Sequence, residues 1–232
     1  MAEYEYKTIQ TGEKIEKMIV FLHGYNSCIA DLEPYAEMLC QRIKHLAVVI
    51  PTPEMVCERN PNKKQWYGLV DVDPERKRRK PETPTTEIVE IYNKTGDRIS
   101  DVARKLNSFI STMQKEYKVN NKHTYVMGFS QGAMLAIYIG LTRRYELGGV
   151  FPFAGIVCGE EKLASEINSR PEVYLFHGTN DLGVQYKTLS YTKSWLDKHD
   201  VAWKAIEYDG IEHRLIEDEM ADAADIINSV QA

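Results

Sequence analysis

The sequence lacks the features that would direct it into a membrane or a secretory route. Its uninterrupted apolar runs, such as Met18–Leu22 and Leu46–Ile50, are far shorter than the roughly 20 residues that cross a bilayer. The first residues, Met1–Tyr6, show no basic stretch followed by an apolar one, so we expect no signal peptide. These absences favour a cytoplasmic protein with no stable membrane insertion.

Other absences limit the cofactors and partners. The four cysteines form no C-x-x-C pair, and we expect free thiols rather than disulfides. No H-E-x-x-H, Cys-His cluster or calcium loop is present for a metal, and no Walker A or G-x-G-x-x-G for a nucleotide. With 29 basic and 34 acidic residues, the formal charge of −5 argues against general nucleic-acid binding. We therefore expect no metal, no cofactor and no nucleic-acid partner, and the sequence does not fix an oligomeric state.

What the sequence does contain is an alternation of short apolar runs and helical patterns. Continuous apolar runs indicate strands that are covered on both faces. The candidate strands are Lys17–His23, Leu46–Ile50, Lys122–Phe129, Gly148–Phe153, Val173–His177 and Val201–Tyr208, with Tyr4–Ile9 as an edge strand. Helical spacing predicts helices over Leu32–Ile43, Asp97–Tyr117, Gln131–Leu141, Val184–His199 and Asp218–Val230. The alternation predicts an α/β fold with a mostly parallel central sheet and helices on both faces.

The stretch 51–91 interrupts this alternation. It shows no convincing core element, and it holds six of the nine prolines and the basic run Arg76–Lys80. We interpret it as an irregular loop excursion from a single domain that spans residues 1–232. A mobile basic run that stays in solvent is the favoured interpretation, and contact with anionic lipid or an acidic partner is the alternative.

The strongest chemical signal is a G-x-S-x-G at Gly128–Gly132, between a strand pattern and a helix pattern. A serine in that context sits on a sharp turn that exposes its hydroxyl, and the helix N-terminus favours a developing oxyanion. A simple crossover turn is the alternative. We predict Ser130 as a nucleophile and the backbone N–H of Gln131 as one oxyanion donor.

A serine nucleophile needs a base, and an acid and a histidine should follow it in that order along the chain. His213 lies in a loop after the last strand pattern, where the alternative is an ordinary surface histidine. Asp181 leaves a buried strand pattern and is the favoured acid, and Asp209, which shares a loop with His213, is its competitor. The predicted catalytic triad is Ser130, Asp181 and His213.

Two further segments are candidates for the site. The loop Leu22–Ser27 follows an early strand pattern, and the backbone N–H of Tyr25 is the second candidate oxyanion donor. His23 in that loop is better explained as a structural residue than as a catalytic one. Within 51–91, Trp66 and Leu69 are candidates to line an acyl-binding groove, with a place in the core as the alternative.

These motifs resemble a known family. Leu22-His23-Gly24, Gly128–Ala133, His177-Gly178-x-x-Asp181 and Gly210-x-x-His213 together resemble the phospholipase/carboxylesterase family of α/β-hydrolases, from about Lys17 to the C-terminus. That family includes acyl-protein thioesterases, lysophospholipases and small bacterial carboxylesterases, and Gln65–Tyr67 resembles its Trp-Phe step near the substrate groove. The resemblance implies hydrolysis of carboxyl esters or acyl thioesters by the same triad, with Tyr25 and Gln131 as oxyanion donors.

The sequence departs from the family pattern at two places. Asn26 replaces the second glycine of an H-G-x-G, and asparagine tolerates a positive φ better than other non-glycine residues. Leu182–Gln185 replaces an apolar Val-Val-Pro-like turn after the acid, which affects the shape of an acyl pocket more than the triad.

The sequence therefore predicts a serine carboxylesterase or acyl-protein thioesterase-like enzyme that works through an acyl-enzyme. Its substrate would be a small acyl ester or thioester, with an acylated protein or a lysophospholipid as natural candidates. The alternatives are a lysophospholipase at a membrane surface and a degenerate hydrolase used as a binding module.

Overall fold

The computed structural model describes residues 4–229. Its strands are β1 (Glu5–Gln10), β2 (Lys17–Leu22), β3 (Leu46–Thr52), β4 (Val56–Cys57), β5 (Asn60–Lys64), β6 (Thr124–Phe129), β7 (Gly149–Phe153), β8 (Val173–Gly178) and β9 (Trp203–Tyr208). Seven of them form one sheet in the order β1-β3-β2-β6-β7-β8-β9. Only β1 pairs antiparallel, with β3, and the other neighbours pair parallel. The predicted α/β architecture and its edge strand are confirmed.

Helices cover both faces of this sheet. They are α1 (Glu33–Arg42), α2 (Thr85–Asn93), α3 (Gly96–Tyr117), α4 (Gln131–Thr142), α5 (Glu160–Glu166), α6 (Leu189–Lys198) and α7 (Glu217–Ser229). Helices α1 and α7 pack on one face and contact each other, and α2 to α6 contribute to the apolar cluster on the other face. Successive residues of β2 point to opposite faces, so that Met18 and Val20 enter one cluster and Ile19 and Phe21 the other.

The helix predictions differ from the structure mainly at the ends of the elements. Helix α4 is buried from Gln131 to Leu141, as its apolar composition predicts. The predicted helix 184–199 is shorter, because Tyr186–Thr188 forms a 3-10 turn before α6. The predicted end of the last helix, Val230, lies outside the described residues.

The interpretation of 51–91 as a stretch without a core element was wrong. Strand β3 continues to Thr52, β4 and β5 form a hairpin, and α2 begins at Thr85. Trp66 and Leu69 are only 2% and 4% exposed and belong to the larger apolar cluster. Their burial favours the core role that the sequence left as the alternative, and a contact with the acyl chain stays a prediction. The hairpin escapes prediction because β4 is only two residues long and β5, Asn-Pro-Asn-Lys-Lys, has no apolar pattern.

The prediction that the whole basic run stays in solvent was also wrong. Arg78 is 5% exposed and forms an ion pair with Asp73, itself 2% exposed. The Asp73 carboxylate also accepts the amides of Lys77 at 2.7 Å and of Arg78 at 3.3 Å. Asp73 therefore neutralises the inward-facing part of the run, and Arg79 beside it is half-buried.

No helix within residues 4–229 combines the length and the apolar character that crossing a bilayer requires.

The burial of Trp66 gives a first prediction. We expect Trp66→Ala to lower the free energy of unfolding by about 3–5 kcal/mol, since it leaves a large cavity and removes the hydrogen bond from Nε1 to the carbonyl of His23. Urea unfolding followed by circular dichroism measures the change. Val56→Ala, at a side chain in the same stretch that is 50% exposed, is the control and should cost less than about 1 kcal/mol. A loss in Trp66→Ala no larger than in this control would contradict the core role.

Candidate active site

Ser130 occupies a strained turn between β6 and α4. Its backbone has φ 54° and ψ −113°, a conformation that costs a non-glycine residue about 1–3 kcal/mol. The amide of Ser130 donates to the carbonyl of Phe153 on the neighbouring strand at 2.9 Å, and the residue is 7% exposed. Backbone strain held in place by a parallel sheet is typical of a functional residue.

The glycines on either side of Ser130 allow the backbones to approach at this turn. A Cβ on Gly128 would lie 2.1 Å from the carbonyl oxygen of Gly132. A Cβ on Gly132 would lie 2.1 Å from the carbonyl oxygen of Leu22 in β2. Both distances are far inside van der Waals contact with backbone atoms, so the turn requires glycine at each position.

Three loops bring Ser130, His213 and Asp181 into one hydrogen-bonded chain. The Oγ atom of Ser130 lies 3.0 Å from Nε2 of His213, and Nδ1 of His213 lies 2.8 Å from Oδ2 of Asp181. Since a carboxylate only accepts, Nδ1 carries the proton, and Nε2 is left free to accept from the serine hydroxyl. The three predicted residues thus meet in the geometry of a nucleophile, a base and an orienting acid.

Asp181 and His213 are each fixed by their surroundings. Asp181 is buried, and its other oxygen accepts the amides of Gly183 at 2.6 Å and Val184 at 3.0 Å. The ring of His213 lies 4.7 Å from that of Phe129, and a Cβ on Gly183 would lie 2.2 Å from His213 Cγ. Gly183, part of the departure from the family pattern, therefore makes room for the imidazole.

Asp209, the competing acid, lies elsewhere. Its carboxylate accepts the hydroxyl of Thr179 at 3.1 Å, and within residues 4–229 it forms no ion pair or hydrogen bond with His213.

The loop after β2 lies directly against Ser130. A Cβ on Gly24 would meet the Cβ of Ser130 at 3.4 Å. Asn26 adopts φ 60°, as its tolerance of the left-handed region predicts. Its backbone N–H donates to the carbonyl of Lys64 at 3.0 Å. The candidate oxyanion donors come directly after these two contacting residues: Tyr25 follows Gly24, and Gln131 follows Ser130.

Polar contacts beneath this loop connect the stretch 51–91 to the strained turn at Ser130, which we call the elbow. The side chain of Gln131 accepts the amide of Trp66 and donates to the carbonyl of Tyr67, both at 2.8 Å. His23 is fully buried and contacts the carbonyl of Gly24 through Nδ1 and the hydroxyl of Thr52 through Nε2. Burial lowers the pKa of His23 to about 4, so it stays neutral and structural.

An open groove of about 410 Å³ lies beside His213. Its lining comes from three loops: Arg79, then Asn180, Leu182 and Gly183, and then Glu212, His213 and Arg214. Arg79 is not among the residues that the sequence predicts for the site, because its place in a run of five cations resembles that of a solvated charge. Within residues 4–229, no group of three or more His, Cys, Asp or Glu side chains is arranged to hold a metal ion.

The phospholipase/carboxylesterase family model matches residues 4–231. The chain belongs to this family. The resemblance seen in the sequence is therefore confirmed, and family membership makes the chain an ester-cleaving hydrolase.

Individual relatives are distant but cover nearly the whole chain. The acyl-protein thioesterase 1 of Saccharomyces cerevisiae is 24% identical over 90% of each chain, and that of Mycosarcoma maydis is 22% identical over 95% of this chain and 94% of its own. Among solved structures, esterase PE8 has a TM-score of 0.83 at 23% identity, covering 99% of this chain and all of its own. Arabidopsis thaliana SOBER1 has a TM-score of 0.78 at 18% identity, covering 94% of this chain and all of its own. These likenesses show that the α/β-hydrolase fold is shared.

A buried carboxyl group lies close behind the His213 loop. Glu219 is 2% exposed in the first turn of α7, where its Oε2 accepts the amide of Ile216 at 3.0 Å. Burial, reinforced by the charge of Asp181, raises the pKa of Glu219 to about 8. At neutral pH this side chain is therefore mostly protonated in the folded protein.

This raised pKa predicts a pH-dependent contribution to stability. Between the ordinary value of 4.5 and about 8, the unfolded chain has lost a proton that the folded chain keeps. The contribution of Glu219 to the free energy of unfolding is complete below about pH 4.5 and is lost as the pH rises through 8. We expect wild type to lose about 2–4 kcal/mol relative to Glu219→Gln between pH 5 and 8.

Urea unfolding of both proteins across this pH range measures the difference. Glu217→Gln, at an exposed position in the same turn, should run parallel to wild type. Parallel pH profiles for wild type and Glu219→Gln would show that the Glu219 carboxyl ionises normally in the fold.

Proposed function

We propose that this chain is a serine hydrolase that cleaves acyl esters or thioesters through an acyl-enzyme, with Ser130, His213 and Asp181 as its catalytic triad. The continuous hydrogen bonding from Ser130 Oγ through His213 to Asp181, at 3.0 Å and 2.8 Å, is the observation that carries the proposal. Its position on a strained turn at the carboxyl end of β6 supports the same assignment.

The acylation step follows from this geometry. His213 accepts the proton of Ser130 through Nε2 while Oγ attacks the acyl carbonyl carbon. Asp181 holds the imidazole through Nδ1 and stabilises the imidazolium that forms. The resulting oxyanion would accept hydrogen bonds from the backbone N–H groups of Tyr25 and Gln131, the latter in the first turn of α4.

Collapse of this intermediate requires a proton on the leaving group. The imidazolium of His213 donates it, so that an alcohol or a thiol leaves and the acyl group stays on Ser130. Water then repeats the sequence, with His213 as base, and releases the carboxylic acid. Asp181 keeps the tautomer correct in both halves because its other oxygen is held by two amides.

The distant relatives suggest the class of substrate. Two of them are named acyl-protein thioesterase 1, which makes an acyl thioester, including one on a protein, the first candidate. The family description also includes phospholipases, so a lysophospholipid is the second candidate. The four cysteines are free thiols, which suits the cytoplasm as the compartment that we propose.

Substitutions in the triad test the proposal on a p-nitrophenyl ester. By analogy with unrelated serine hydrolases, Ser130→Ala should lower kcat about a millionfold, and Asp181→Asn about 10⁴-fold because it favours the wrong tautomer. Asp209→Asn is the matched control, at an exposed acid that contacts Thr179 instead, and should keep kcat within about twofold.

The result for the two acids decides the assignment. Near-normal activity in Asp181→Asn together with loss in Asp209→Asn would transfer the role to Asp209. No turnover of any ester or thioester by folded wild type would favour the alternative of a binding module.

A further inference from the structure

Arg79 is a half-buried cation without a counter-ion among residues 4–229. Its Nε atom is shielded from solvent and finds no hydrogen-bond partner there, whereas the adjacent Arg78 is neutralised by Asp73. The nearby Asp181 carboxylate is already committed to His213 and two amides. Removing an unpaired guanidinium partly from water carries a desolvation penalty. An anionic partner from outside the chain would offset that penalty.

The backbone around Arg79 is fixed to the loop that carries the acid. The side-chain Nε2 of Gln185, four residues after Asp181, donates to the carbonyl of Arg78 at 2.9 Å and to that of Lys80 at 2.8 Å. Lys187 donates to the carbonyl of Pro81 at 2.9 Å. The chain is thus held on both sides of Arg79, and this fixation sets the guanidinium beside the active site.

The groove that Arg79 lines also contains His213. His213 must deliver its proton to the leaving group, so the part of the substrate on this side is the alcohol or thiol portion. The groove is lined by three charged side chains: Arg79 and Arg214, both positive, and Glu212, which is negative and exposed. Among the lining residues the cations exceed the anion by one charge, and the nearby Asp181 carboxylate is buried and bonded to His213. The lining therefore favours an anion in the groove.

We propose that Arg79 binds an anionic group, a carboxylate or a phosphate, on the leaving-group side of the substrate and so selects anionic esters and thioesters. A guanidinium suits both anions because its fork of N–H donors matches their oxygens. This inference rests on the proposed function, since it assigns a substrate class to the same site.

Pairs of esters that differ in charge test the inference. For a carboxylate, the acetyl ester of 4-hydroxyphenylacetate is compared with that of 4-hydroxyphenylacetamide, whose leaving phenol has nearly the same acidity. For a phosphate, 1-butanoylglycerol 3-phosphate is compared with 1-butanoylglycerol. We expect wild type to favour the anionic member of at least one pair by about tenfold or more in kcat/KM, and the preferred pair identifies the anion.

Substitution of Arg79 should remove this preference selectively. Arg79→Gln is expected to lower the anionic-to-neutral ratio of kcat/KM by roughly 10- to 100-fold, and Arg79→Lys, which keeps the charge, to lower it less. Lys80→Gln removes a charge from an exposed position of the same run outside the groove, and its ratio should match wild type. Raising the salt concentration should weaken the wild-type preference.

Other outcomes overturn the inference. Equal rates on both members of both pairs in wild type would do so, as would an equal loss on both members in Arg79→Gln with the ratio preserved. A preference for p-nitrophenyl glutarate over its methyl ester, without any preference in the two pairs, would place the anion on the acyl side instead. Hydrolysis of the neutral esters, abolished by Ser130→Ala, tests the proposed function separately.

Discussion

The close packing of backbone around two glycines is the constraint on which the site depends. Gly132 lies so near the carbonyl of Leu22 that a Cβ there would come within 2.1 Å of its oxygen, and Gly128 is equally close to Gly132 itself. This packing lets α4 begin directly at the edge of the parallel sheet and forces Ser130 to a positive φ. The strain is held by the strands on both sides, and it presents the hydroxyl to His213 rather than to the core.

The rest of the site is organised around that turn by buried polar contacts. Gln131 joins the elbow to the backbone of Trp66, and Trp66 in turn holds the carbonyl of His23. Gln185 joins the loop that carries Asp181 to the basic run Arg76–Lys80. Because an unsatisfied buried polar group is costly, these contacts favour one arrangement of the loops over others. The stretch 51–91 therefore connects the turn at Ser130 with the loop that carries Asp181.

The sequence predicts those parts of the molecule that follow local rules. Continuous apolar runs mark the parallel strands, and the strand–turn–helix context marks Ser130. Other parts depend on partners that are distant along the chain. Burial of Trp66 is possible because Gln131 and His23 accept hydrogen bonds from its backbone and indole N–H groups. Burial of Arg78 is possible because Asp73 neutralises its charge. The position of Arg79 beside His213 depends on Gln185, more than 100 residues away. Neither periodicity nor composition carries such information.

Covalent labelling with a fluorophosphonate tests whether Ser130 is activated, because only an activated serine displaces the fluoride. Intact-mass and peptide mass spectrometry would locate the adduct in the native and the urea-unfolded protein. We expect one adduct per chain, on Ser130, formed in the native protein only and accompanied by loss of ester hydrolysis. An adduct on another residue, or full hydrolytic activity in protein labelled at Ser130, would contradict it.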